Sequence, residues 1–188
     1  MVSLTSLWMP IVLSAVLVFI MSSIIHMALG YHKNDFASVP NEAAATDALR
    51  ALNLSAGDYM LPRPNSMAEM KDPAFIERMT KGPNLTMTVF PATNGPPGMG
   101  AQLGQWFVFC LIVGLFAAYV AGRTLAPNAE YLTVFRVAGT VAFVGHVLAQ
   151  WPAVIWYHRS TAATLRGTLD GLIYGLLTGG VFGWLWPM

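Results

Sequence analysis

The sequence predicts an all-α membrane protein, with four transmembrane helices and a small α+β extramembrane insert between the first and the second. Three observations carry this reading. Hydrophobic residues make up 55% of the 188-residue chain and charged residues 10%, with a mean hydropathy of +0.55, whereas a soluble domain has about 25% charged residues. Of the 10 basic and 9 acidic side chains, 13 fall between positions 32 and 104, which confines most of the charge to one insert. The remainder resolves into four apolar runs, each near the roughly 20 residues that cross a hydrocarbon core of about 30 Å. A net charge of +1 offers no basic footprint for nucleic acid. An aromatic content of 12% excludes a disordered or collagen-like chain. The single cysteine, Cys110, permits neither an intramolecular disulfide nor a multi-cysteine zinc or iron–sulfur centre.

The first run, residues 7–29, contains no charged side chain. It is too long for the apolar region of a signal peptide and no Lys or Arg precedes it, so it reads as a span despite the small residues at Ala28 and Gly30. The second and third runs, 103–122 and 131–157, form a helical hairpin around Arg123 and the Pro127-Asn128 turn. The fourth, 169–186, follows a polar turn at His158, Arg159 and Ser160. Trp106, Trp151, Trp156, Tyr157, Trp184 and Trp186 fall near the run ends, where amphipathic rings favour the headgroup level. The chain thus divides into span one (1–31), the insert (32–102) and spans two to four (103–188), with both termini on the side opposite the insert. Lys33, Arg159 and Arg166 on the insert side, against Arg123, Arg136 and the amino terminus, lean toward a cytoplasmic insert by positive-inside counting.

The insert is too long for a structureless connection. Asn41 caps a helix from Glu42 to about Leu52, and Gly57 to Leu61 reads as a short strand before Pro62 and Pro64. Asp72-Pro73 opens a second helix through Met79, closed by Lys81-Gly82-Pro83. Leu85-Thr86-Met87-Thr88-Val89 alternates with the period of a strand, and Asn94-Gly95-Pro96-Pro97-Gly98 is a loop. Six methionines, Met60, Met67, Met70, Met79, Met87 and Met99, read as packing for the insert's core rather than as soft ligands for Cu(I).

The most specific pattern lies in the last span. Gly167, Gly171, Gly175, Gly179 and Gly183 recur every four residues, which places them on one ridge where a neighbouring backbone can approach closely. Gly114, Ala118 and Gly122 repeat the spacing in span two, so spans two and four are expected to pack together, with a homo-oligomer or partner contact as the other use of the ridge. A second constellation is polar. Arg136, Thr140, His146 and Gln150 fall within an arc of roughly 120° on span three. His26 stands near the exit of span one, and Arg166 and Asp170 lie one turn apart at the start of span four. Ionisable groups at membrane depth usually face a bundle interior or a watery cavity. His26, Arg136, His146, Gln150 and Asp170 are therefore the candidate pocket residues, against ordinary interhelical hydrogen bonding as the alternative.

His26 and His146 also suggest axial haem ligands, and His32 and Asp35 a surface metal pair, but neither spacing is specific, and no metal or cofactor is expected. Cys110 reads as a buried small residue. No phosphate loop, nucleophile elbow, zinc-protease box or dinucleotide fingerprint occurs. Asn53-Leu54-Ser55 and Asn84-Leu85-Thr86 match the glycosylation triplet, which is frequent by chance.

The segments Ser22-Ser23-Ile24-Ile25-His26-Met27, Thr88-Val89-Phe90-Pro91, Phe135-Arg136-Val137-Ala138-Gly139-Thr140, and Asp170-Gly171-Leu172-Ile173-Tyr174-Gly175 with Gly183-Trp184-Leu185-Trp186-Pro187 resemble an uncharacterised set of bacterial four-span integral membrane proteins. The resemblance covers nearly the whole chain. It implies a bacterial inner-membrane location and brings no activity with it. With no catalytic constellation beside a strong helix-packing motif, the sequence predicts a non-catalytic component of the bilayer, either an accessory or scaffolding subunit bound to other membrane subunits or a self-associating protein. The alternative is small-molecule or ion binding or transport through a polar pocket beneath the insert.

Overall fold

The computed structural model describes residues 1–93, 95 and 98–187; of the loop expected at 94–98, Asn94, Pro96 and Pro97 lie outside the described residues. The chain divides into two compact units, a helical unit of Met1–Ala37 and Gly98–Met188 and an insert of Ser38–Pro97.

In the helical unit, a 3-10 turn over Leu4–Leu7, capped by the Ser3 hydroxyl, leads into helix α1, Trp8–Ile24. Ser14, Ser22 and Ser23 donate back to the carbonyls of Ile11 and Phe19, so no hydroxyl in this apolar helix is left without an acceptor. A single wide turn of π geometry, Ile25–Leu29, ends the segment at Gly30, whose φ of 64° suits glycine and reverses the chain.

In the insert, α2, Glu42–Ala51, is capped by Asn41. Strand β1, Gly57–Leu61, precedes α3, Pro73–Lys81, which is capped by Asp72 and has Pro73 in its first turn. Strand β2, Leu85–Val89, pairs antiparallel with β1, with Tyr59 opposite Met87. The helix and strand positions read from the sequence are thus present, but the methionine core is not. Met60, Met67, Met70 and Met79 are exposed, and Phe75 is the one buried hydrophobic side chain of the insert among the described residues. Two short helices and a two-stranded ribbon offer too little apolar surface to enclose more.

The helical unit continues with α4, Gly100–Thr124, and α5, Tyr131–Val147. A 3-10 turn, Leu148–Gln150, separates α5 from α6, Trp151–Tyr157; Pro152 supplies no amide hydrogen there, and the regular ladder breaks before it. The last helix, α7, Thr161–Trp184, is capped by Ser160. Among the described residues, three helical segments are long and apolar enough to cross a membrane: Leu4–Leu29, Gly100–Thr124 and Tyr131–Tyr157, with mean hydropathies of 2.4, 2.0 and 1.6 over their most apolar windows. The protein is mostly helical, with a small two-stranded sheet, and compatible with a multi-pass membrane protein. The expected fourth span is not among these three. Its glycines, threonines and Asp170 dilute the apolar content of α7.

The glycine ridge determines how α7 packs. A Cβ on Gly175 would stand 2.9 Å from the Gly139 carbonyl oxygen, and one on Gly179 2.7 Å from that of Phe135. One on Gly183 would meet the Tyr131 ring, one on Gly171 Val147, and one on Gly167 the Gln150 amide. The entire ridge faces span three, not span two. On α4, Gly114 lies against Ile11 and Ser14, and Gly122 against Val2, while Ala118 is fully buried. The reason is reciprocity. α5 brings its own bare backbone at Gly139, flanked by the buried Ala138 and Ala142, so α5 and α7 approach backbone to backbone. The small residues of α4 accommodate the N-terminal segment instead. At the end of the bundle with the chain termini, the Val2 amide donates to the Gly122 carbonyl and the Asn128 amide to that of Pro187, and the Trp186 indole donates to Ala126.

Candidate functional site

At the opposite end of the helical unit, six polar side chains converge on the start of α7. Gly30 turns the chain back, and the Lys33 and Asp35 amides close turns on the carbonyls of Gly30 and His32, bringing Tyr31, His32 and Asp35 over the helix. Asp170 is 4% exposed. The Tyr31 hydroxyl donates to its Oδ1, and His32 Nε2 lies 2.9 Å from its Oδ2. On its other edge, His32 Nδ1 is 2.7 Å from Asp35 Oδ2. Arg166, one turn before Asp170, donates from Nε to Asp35 Oδ1 at 2.7 Å and sets Nη2 2.5 Å from the same oxygen as an ion pair. The His26 ring meets the His32 ring edge-on at 4.5 Å between centroids.

The electrostatics follow from these contacts. The hydrogen bond from His32, with Arg166 behind it, holds the Asp35 carboxyl below the ordinary range against the opposing effect of burial. Burial, and then the bond to Asp170, push the Tyr31 phenol up to about 12, so it remains a donor at neutral pH. Asp35 can therefore only accept, and His32 Nδ1 must donate to it. Although His32 Nε2 is close to Asp170 Oδ2, the oxygen lies off the direction in which the ring nitrogen would donate. Nε2 is buried with no hydrogen-bond partner among the described residues.

Of the five residues expected to form a pocket, His26 and Asp170 meet in this cluster. His146 is buried among Trp106, Phe109 and Tyr174, with ring centroids 5.8, 5.5 and 5.2 Å away. Gln150 donates to the His146 carbonyl and covers Gly167. Arg136 lies about 15 Å along the same helix from His146, at 1.5 Å per residue, on a separate shallow cavity of 220 Å³ with Thr140, Phe143 and Leu176. The stripe on span three is thus divided between two places, and His26 and His146 occupy different surroundings. The sequence did mark the His32–Asp35 spacing and the Arg166–Asp170 turn, but separately. Their joining depends on the reversal at Gly30, and Tyr31 carried no signal at all.

No family model, curated protein or solved structure matches the chain.

Proposed function

We propose that the protein is a multi-pass protein of the bacterial inner membrane that crosses four times and binds an ion or small polar molecule at the cluster around Asp170. The observation that carries the binding reading is a carboxylate 4% exposed on which Tyr31 and His32 converge from one side of a chain reversal. Ionisable groups are brought together in an apolar bundle only at a cost, and such clusters mark ligand or ion sites. The glycine zipper, the feature that favoured an accessory subunit or self-association, is committed to α5 and no longer argues for a partner. A fourth crossing by α7 is supported by its 24 residues, about 36 Å of helix, packed along a helix that is itself apolar enough to span. It is supported too by the gathering of both chain ends at the α4–α5 connection. Positive-inside counting puts the insert in the cytoplasm and both termini outside it.

Two measurements test this. Cysteines placed at position 2 and after position 188 should label from one side of the membrane and a cysteine at position 50 from the other; labelling of the two termini from opposite sides would remove the fourth crossing. For binding, a panel of ions and small polar molecules should include one that raises the thermal midpoint of the purified protein, since a ligand at 100 times its Kd adds about 2.7 kcal/mol. The Asp170→Asn variant should fold and lose that shift. A ligand that shifts both proteins equally binds elsewhere, and the reading fails.

A further inference from the structure

We propose that His26, His32 and Asp170 bind a divalent transition-metal ion of the zinc class, with Asp35 and Arg166 as the outer shell that orients His32; this rests on the reading of the cluster as a binding site. One donor atom from each of the three side chains lies within 4.8 Å of the others, so a modest closure brings all three to one ion. The argument turns on His32. Its Nδ1 donates to Asp35, which Arg166 holds in place, and Nε2 is buried without a hydrogen-bond partner among the described residues, 2.9 Å from Asp170 Oδ2. In the neutral ring whose Nδ1–H serves Asp35, Nε2 carries a lone pair, and an anionic oxygen beside it is repelled unless a cation lies between them.

The spacing is one that a shared ion allows. Two donors each about 2.1 Å from one ion and 2.9 Å apart subtend about 90° at it, so each donor sits about 45° off the other's lone-pair axis. A direct hydrogen bond would instead require the oxygen on that axis. Asp170 Oδ1 is occupied by Tyr31, which orients Oδ2 toward the site. A ligating histidine whose second nitrogen is bonded to a carboxylate is the usual outer-shell arrangement, fixing the tautomer and raising the basicity of the donor nitrogen. His26 is exposed and lies in a π turn, a feature that recurs at functional sites; it closes the site from the outside. Two imidazoles and a carboxylate suit zinc, iron(II) or cobalt(II) and leave coordination positions open for water or a substrate.

The test uses the full-length protein in nanodiscs, stripped with a chelator and titrated with Co²⁺ as a spectroscopic probe. One Co²⁺ per chain should bind with ligand-field absorption in the visible, and Zn²⁺ should displace it. Asp35→Asn, which keeps all three ligands, should weaken binding about 10- to 100-fold. His26→Ala, an exposed position where folding is not at risk, should alter the spectrum and weaken binding at least as much. Absence of stoichiometric Co²⁺ and Zn²⁺ binding by the wild-type protein overturns the proposal, as does an unchanged affinity in His26→Ala. If metals fail while a small polar molecule still gives an Asp170-dependent thermal shift, the binding-site reading survives without the metal; if both fail, both are wrong.

Discussion

Gly179→Ala is expected to destabilise the helical unit by about 1–3 kcal/mol, the usual cost of overpacking a close contact, although alanine is by propensity the better helix former by about 1 kcal/mol. The new Cβ would stand 2.7 Å from the Phe135 carbonyl oxygen and 3.2 Å from Gly139 Cα. The Phe135 ring, 3.1 Å away at Cδ2, could turn aside, but the two backbone atoms cannot, so α5 and α7 must separate. Gly175→Leu is expected to be worse, because its Cβ alone would stand 2.9 Å from the Gly139 carbonyl oxygen and 3.1 Å from Phe143 Cβ, and the rest of a branched side chain follows. The controls lie on the same chain. A Cβ on Gly180 meets only the Tyr131 hydroxyl at 3.7 Å, and one on Gly104 meets nothing within 4 Å, so Gly180→Ala and Gly104→Ala should be neutral or slightly stabilising. Thermal unfolding in nanodiscs distinguishes the positions. Equal midpoints for Gly179→Ala and Gly180→Ala would show that the ridge is not a helix interface.

Breaking the Arg166–Asp35 pair is the second large effect expected. Arg166→Met leaves Asp35 with His32 as its remaining partner, and Asp35→Asn leaves the guanidinium facing a neutral amide. Removing one member of a fully buried pair costs about 3–5 kcal/mol. The Arg166 and Asp35 side chains retain 28% and 19% of their exposure, so water and salt reduce that cost to about 1–3 kcal/mol for each single variant. Because both residues belong to one hydrogen-bonded chain, from Arg166 through Asp35 to His32, the double variant should lose less than the sum, with a coupling of about 0.5–3 kcal/mol. Denaturation of the four proteins of the cycle measures it. Strict additivity would mean that the pair does no more than an exposed surface contact.

How much of the molecule was legible in the sequence depends on whether the signal was local. The caps at Asn41 and Asp72 and the alternation over Leu85–Val89 specify their elements within a few residues, because a cap or a period-two face is chemistry between neighbours. The charge-free first run and the hairpin were equally plain, since hydropathy sums over a window. The start of α7 was not: Ser160 begins it at Thr161, well before the apolar run at 169, because Thr161, Thr164, Arg166, Gly167 and Thr168 dilute the hydropathy of its first two turns.

The sequence by itself determined that the chain has apolar helices long enough for a bilayer, that one polar insert interrupts them, and that the last helix presents a bare ridge. Only the tertiary structure decided what the ridge touches. A four-residue glycine repeat permits close approach but chooses no partner, and the choice of α5 over α4 depends on where Gly139 presents its own backbone. Likewise, His32–Asp35 and Arg166–Asp170 were two unremarkable spacings until the left-handed turn at Gly30 laid one across the other. Contacts between residues more than a hundred positions apart are set by the path of the backbone, and no periodicity in the sequence encodes that path.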